Sequence, residues 1–372
     1  METKPRKLPI GIQTFEKIRE GNYLYVDKTE YLVNLIDNGV IYFYARPRRF
    51  GKSLTVSTLD AMFSGKKELF KGLYAEEFMN RPDYHTSPVI RIDLSSMTTN
   101  DGIDVLKFTM KLRVAEIAEK YGINIPDTYP PGEALRQLIK ETAKQDDNGK
   151  VVILIDEYDK PYTDFYTNHQ MAETVRDVLR NFYSHIKSND EYIRFVFLTG
   201  IAKFAKFGVF STLNNIMDIS MDERYGEMCG MTAAEIERYF PEHIAATADK
   251  FNISPEELLE RIRARYDGFC FDGVHRLYNP FSTLCFFDQK KFDDYWMESG
   301  TSSMIAKYLK ERNLTLEQFR RFPVSSNFLR TPGDLDTTPP EGFLYQAGYL
   351  TVRKTFGVTV CRTAINWMLS GW

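Results

Sequence analysis

Thiol and imidazole groups are scarce in this chain: its 372 residues include four cysteines and five histidines. Cys229, Cys270, Cys285 and Cys361 lack the paired spacing of a zinc or iron–sulfur site, and the histidines are scattered. A disulfide framework is excluded as well, since a chain this long can bury sufficient core without cross-links. The thiols are expected to be free and buried in a reducing cytoplasm. Long apolar runs are also missing, so no segment reads as a membrane span, and Lys4, Arg6 and Lys7 are not followed by the apolar core of a signal peptide. Nor is there an excess of one charge: 48 basic against 51 acidic residues give a net charge of -3, which excludes a global nucleic-acid or membrane footprint and leaves room only for local basic patches.

What the chain does contain is a set of buried-strand patterns that end in polar residues. Val40-Ile41-Tyr42-Phe43-Tyr44-Ala45 runs directly into Arg46-Pro47-Arg48-Arg49-Phe50-Gly51-Lys52-Ser53. A strand-to-helix turn ending Gly-Lys-Ser reads as a phosphate loop: backbone N–H groups converge on phosphate oxygens, the lysine neutralises charge and the serine hydroxyl ligates Mg²⁺. The usual pattern begins with glycine five residues before Gly51, where this chain has Arg46. A second run, Val151-Val152-Ile153-Leu154-Ile155, is continuous enough for a strand buried on both faces and ends in Asp156-Glu157. This is a Walker B pattern, with Asp156 expected at the metal and Glu157 expected to polarise the attacking water. A third run, Ile193 to Leu198, ends in Thr199-Gly200, the sensor place of additional-strand P-loop ATPases, in which one more strand separates the phosphate-loop and Walker B strands. The interval from Lys52 to Asp156 leaves room for a further strand, Ser87 to Leu94, with a helix near Asp104–Lys120 behind it. The expected fold is α/β: a parallel sheet between helices, with the ligand at the carboxyl ends of the strands.

The chain resembles the AAA-ATPase-like proteins of bacteria, whose C-terminal half is often a PD-(D/E)XK nuclease domain. The marks are Pro9-Ile10-Gly11-Ile12-Gln13 with Phe15, Tyr25-Val26-Asp27-Lys28-Thr29, and the Arg-Pro-Arg-Arg-Phe-Gly-Lys-Ser loop itself. Further marks are Leu154 to Pro161, Leu198-Thr199-Gly200-Ile201-Ala202-Lys203-Phe204, Tyr266-Asp267-Gly268-Phe269 and Tyr278-Asn279-Pro280. The resemblance accounts for the missing first glycine, which the family itself replaces. It implies a Mg²⁺-dependent ATP-binding and ATP-hydrolysing protein, with Arg46, Pro47, Arg48, Arg49, Phe50, Gly51, Lys52, Ser53 and Leu54 at the nucleotide. Ser53 and Asp156 would hold the metal, while Glu157 and Thr199 would act in catalysis. Asp27, Lys28 and Thr29 fall where related ATPases cover the base. For Arg48 and Arg49, pairing with surface carboxylates or with a neighbouring subunit stands against phosphate contact. Lys203 and Lys206 are candidates for transition-state charge, set against solvent-facing helix lysines.

Three modules are expected: an ATPase core over 1–221, a helical lid region over 222–310 and a winged-helix-like segment over 311–372. Thr232 with Glu235, and Ser254-Pro255-Glu256-Glu257, read as helix starts in the lid. Thr315 to Arg330 reads as helix and turn, Thr331 to Glu341 as a loop, and Phe343 to Val352 as a helix end passing through glycine into a strand. A packing or hinge role is expected of this last segment, with DNA binding as the competing role. No Glu-x-Lys triplet follows residue 172, so the nuclease site of longer relatives is expected to be absent and the chain to be a shortened form. An ATP-dependent switch with little turnover is the alternative to an enzyme. The physiological protein partner is unknown, and homo-oligomer formation is left open.

Overall fold

The computed structural model describes residues 5–97, 102–163, 169–201, 215–296, 309–310, 313–314, 321–323, 340–355 and 358–363. Five parallel strands form the central sheet: β1 Ile41–Ala45, β2 Val89–Asp93, β3 Val151–Asp156, β4 Ile193–Gly200 and β5 Met217–Asp218, in the order β2-β3-β4-β1-β5. The strand between β1 and β3 is β4, which ends in Thr199-Gly200; this corrects the expectation for Ser87 to Leu94, whose strand β2 instead flanks β3 at the sheet edge, because room in sequence between Lys52 and Asp156 does not set order in the sheet. Every residue of β1 and β3 is buried, which is why both read as unbroken apolar runs rather than alternating ones. Register brings the functional ends level: Tyr44 lies opposite Thr199, Ala45 opposite Gly200 and Asp93 opposite Asp156. Helices Lys52–Phe63, Ile103–Lys120, Pro131–Ala143 and His169–Lys187 pack on the sheet and on one another.

A second core is built by helices Ala233–Tyr239, Pro241–Phe251, Pro255–Tyr266 and Pro280–Gln289; the short antiparallel pair β6 Asp267–Phe269 and β7 Leu277–Tyr278 is shared, with Tyr278 in this core and Phe269 and Leu277 in that of the sheet. Both helix starts expected here are formed. Thr232 and Glu235 make a reciprocal capping box, and the Ser254 hydroxyl accepts from Glu257 N ahead of Pro255. This core also takes in residues from the start of the chain: Leu24 belongs to it, and Leu8, Ile10 and Val26 pack against it. The N-terminal segment thus serves the lid as well as the sheet, so no single point in sequence divides the two cores.

The C-terminal part contains β8 Arg321–Pro323, helix Pro340–Gln346, β9 Leu350–Thr355 and β10 Val358–Thr363, the strands forming an antiparallel sheet in the order β8-β10-β9. The expected helix end, glycine and strand over Phe343 to Val352 are present. The expectation of helix and turn over Thr315 to Arg330 needs correction where that span is described, because Arg321–Pro323 is a strand. Phe322 precedes a proline, which disfavours helical backbone, and Pro323 is tolerated because β8 lies at the sheet edge. Residues 315–320 and 324–339 lie outside the described residues, as does the tail after Thr363. Leu344, Tyr345, Ala347, Tyr349, Leu350 and Val352 are buried in the same cluster as the sheet core, so this segment packs as part of the sheet core.

Candidate nucleotide site

A cavity of about 430 Å³ opens beyond the carboxyl ends of the strands. Its floor is the loop after β1: Arg48, Arg49, Phe50, Gly51, Lys52, Ser53 and Leu54 all line it, with Glu157 alongside. The loop turns into helix Lys52–Phe63 through two left-handed residues, Arg49 at φ 67° and Gly51 at φ 99°. Helix N–H groups of the first turn are left without intrahelical partners there, as an anion site requires. Lys52 is buried and its Nζ donates 3.0 Å to the Pro47 carbonyl, which holds the ammonium across the loop.

On the neighbouring strand end, the Asp156 carboxylate accepts from Glu157 N at 3.0 Å and lies near enough to the Ser53 hydroxyl to be held down by it electrostatically. Glu157 leaves β3 in a left-handed conformation, φ 51°, an uncommon state for a residue with a Cβ that turns the chain sharply after Asp156. Burial pushes the Lys52 pKa below its usual value, against the pull of Asp156, Glu157 and Asp159. Burial also raises Asp156, an effect opposed by Ser53 and Lys52, and raises Glu157, opposed by Lys52 and Arg48. Ser53 and Asp156 offer adjacent hydroxyl and carboxylate oxygens. That donor set fits Mg²⁺, which takes few protein ligands and keeps several waters.

Four of the expected residues, Arg46, Pro47, Asp156 and Thr199, are not among those lining the cavity. Arg46 is almost fully buried, and its guanidinium donates to the carbonyls of Ala45, Ser220 and Gly226 at 3.0, 2.6 and 3.2 Å. It lies between the rings of Tyr44 and Phe271, 4.3 and 4.5 Å from their centroids. This arginine stands in for the absent glycine by tying the start of the loop to the segment after β5. Thr199 is completely buried within the sheet, and its hydroxyl donates 2.8 Å to the Tyr44 carbonyl, so it braces β4 against β1. Pro47 likewise contributes its carbonyl to Lys52 rather than a face to the cavity. Lys203 and Lys206 lie outside the described residues.

The cavity walls come from segments to which sequence reasoning gave no role. Pro9, Gly11, Ile12 and Gln13 contribute one side, Met228 to Met231 another, and Pro280 with Phe281 a third. The first and last of these were among the marks of resemblance and could have been assigned on that basis; Met228 to Met231 carried no signal. Val26 and Lys28 also line the cavity, whereas Asp27 is turned away, its carboxylate accepting from Thr29 N and Tyr74 N. Lys28 pairs with Glu235 of the capping box at 2.7 Å, and the Arg49 guanidinium lies 4.7 Å over the Phe281 ring. The first contact ties the N-terminal segment to the lid, and the second ties the loop to it.

Comparison with known proteins gives three findings. The family model described as Predicted AAA-ATPase matches residues 9–210, more than half of the chain. An "Uncharacterized protein in vnfD 5'region" of Azotobacter chroococcum mcd 1 is 38% identical over 353 residues, which are 93% of this chain and 64% of that protein. Among solved structures, "Structure of Drosophila ORC bound to AT-rich DNA and Cdc6" pairs with 95% of this chain and 90% of that chain at 10% identity and a TM-score of 0.26, too loose a superposition to carry an argument. Among the described residues, no helix is long and apolar enough to cross a membrane.

Proposed function

Since the chain belongs to the predicted AAA-ATPase family, we propose that it binds ATP with Mg²⁺ in this cavity and hydrolyses it. The observation that carries the reading is the joining of two strand ends: Lys52, Ser53 and Glu157 line one cavity, with Asp156 beside Ser53 and bonded to Glu157 N. Lys52 exchanges its bond to Pro47 for the β- and γ-phosphates, and the loop N–H groups hold the same oxygens. Ser53 and Asp156 hold the metal, which supplies charge between the phosphates when bound. Glu157 orients the attacking water and takes its proton. The base lies toward Pro9 to Gln13 and Met228 to Met231, where the cavity wall is largely apolar. Positioning and electrostatics supply most of the rate in phosphoryl transfer, so this small set suffices.

Purified protein is expected to bind ATP and to release phosphate in a Mg²⁺-dependent way, and Lys52→Ala to lose both. A protein that binds no nucleotide would remove the reading. One observation favours a second use of the same site, as a switch. The cavity wall is shared by loop and lid, and Arg49 on Phe281 links them, so occupancy can bias the lid. Slow turnover with a large ATP-dependent change in protease sensitivity would favour the switch over the enzyme. The physiological protein partner, DNA association and self-assembly belong to later experiments; burial of the C-terminal segment in the sheet core supports its packing role.

A further inference from the structure

Phosphoryl transfer needs positive charge on the γ-phosphate beyond the loop lysine, and many ATPases borrow it from a neighbouring molecule. The cations lining this cavity are Lys28, Arg48, Arg49 and Lys52. Three have protein partners: Lys28 has Glu235, Arg49 stacks on Phe281, and Lys52 donates to Pro47. Arg48 is different. It is half-buried and lines the cavity, and among the described residues its guanidinium has neither a hydrogen bond nor an ion pair. Its charge is felt by Glu157, which sets it near the group proposed to activate water. The loop holds it there from both sides. Arg46 anchors one flank through three carbonyls, and left-handed Arg49 turns away to the lid on the other. A half-buried guanidinium without a carboxylate is a cost to the folded protein that a bound anion offsets.

We propose that Arg48 is a further catalytic residue, an arginine finger supplied in cis by the phosphate loop, so that hydrolysis needs no arginine from a second subunit. This rests on the hydrolysis reading above. Water forms a bond to the γ-phosphorus, and the bond to the β,γ-bridging oxygen breaks with its electron pair left on ADP. The water proton passes by way of Glu157 to the released phosphate. Arg48 donates to the equatorial oxygens, on which charge is carried in the transition state.

The test measures kcat, ATP dissociation constant and rate per molecule across a wide range of protein concentration for the full chain, Arg48→Ala and Arg48→Lys. We expect Arg48→Ala to lose about a hundredfold or more in kcat while its ATP affinity changes less than about tenfold. Added guanidinium ion should restore part of the rate to Arg48→Ala but none to Lys52→Ala, and the wild-type rate per molecule should stay constant on dilution. Wild-type kcat in Arg48→Ala, a loss confined to ATP affinity, or a wild-type rate per molecule that climbs with concentration would each overturn the proposal while leaving the ATPase reading in place. Wild-type protein that binds ATP but releases no phosphate would overturn both.

Discussion

At the scale of single residues, the arginines of one loop have separate tasks that their identity alone does not reveal. Arg46 was expected at the nucleotide because it occupies a place in the phosphate-loop pattern, yet its partners Ser220 and Gly226 lie far along the chain, and nothing local signals them. Arg46→Ala would orphan three buried carbonyls, and unfolding in denaturant should report a loss of about 3 kcal/mol or more. Arg46→Lys should recover little of it, since an ammonium cannot span three carbonyls or lie flat between two rings. A change within about 1 kcal/mol would contradict the anchoring role. Gly200 is required for room: a Cβ there would stand 2.4 Å from Asp159 Oδ1 and 2.6 Å from Tyr158 Cδ1, where the ends of β3 and β4 meet. Gly200→Ala should therefore cost about 1–3 kcal/mol, read by the same unfolding measurement.

One histidine predicts a pH dependence. His243 is buried beside Phe240 and Phe287, its Nε2 donates to the Arg6 carbonyl at 3.0 Å, and its Nδ1 has no hydrogen-bond partner among the described residues. Burial lowers its pKa from 6.5, helped by Lys290 and opposed by the Arg6 carbonyl and Glu242. Above pH 6.5 both folded and unfolded chains hold it neutral. As pH falls below 6.5 the unfolded chain takes up a proton that the folded lid resists, so this stability is lost toward acid. The denaturation midpoint should drop between pH 7.5 and pH 5.5 (values chosen roughly to bracket the ordinary histidine pKa), and His243→Gln should flatten that drop; an unchanged slope in the variant would assign it to other groups.

At the scale of elements, β1, β3 and most of β4 were legible because strands buried on both faces carry nearly continuous apolar residues, β2 because its apolar residues are broken only by Arg91, and the lid helices because their caps use Thr-x-x-Glu and Ser-Pro-Glu-Glu signals. The fifth strand, Met217–Asp218, is two residues long and held only by pairing with β1, so it leaves no pattern of its own. The strand at Arg321–Pro323 was misread because its pairing with β10 is a distant contact that local composition does not encode. The capping box at Thr232 and Glu235 has a second use that the motif cannot announce, since Glu235 also holds Lys28 at the cavity edge. Thr232→Ala should cost about 1 kcal/mol as a lost cap. Glu235→Ala should cost more, because it also orphans Lys28. A double-mutant cycle of Glu235→Ala with Lys28→Met should return a coupling of about 0.5 kcal/mol or more; a coupling near zero would mean that the pair does not tie the N-terminal segment to the lid.

At the scale of the whole molecule, the cavity lies where two hydrophobic cores meet, and the chain reaches it from five separate regions. Residues 9–13 and 24–28 feed the lid side before the sheet has begun, while the C-terminal segment closes behind the loop: the Tyr345 hydroxyl donates to the Phe271 carbonyl, and Val352 N donates to the Cys270 carbonyl. Phe271 in turn packs on both Phe50 and Arg46, so the loop is clamped from below by elements far away in sequence. The grouping of Lys52, Ser53, Asp156 and Glu157 at neighbouring strand ends was legible because each pair follows or ends a buried strand. The clamp and the cavity walls were not, because they depend on tertiary contacts among Gly, Pro, Met and aromatic residues that serve equally well as ordinary packing.

The most direct measurement is Mg²⁺-dependent phosphate release from ATP by Glu157→Gln, with nucleotide binding followed in the same samples beside wild type and Lys52→Ala. Glu157→Gln should bind ATP as wild type does and lose turnover by about a hundredfold or more, while Lys52→Ala loses both. Wild-type turnover in Glu157→Gln would contradict the placement of hydrolytic chemistry at the end of β3.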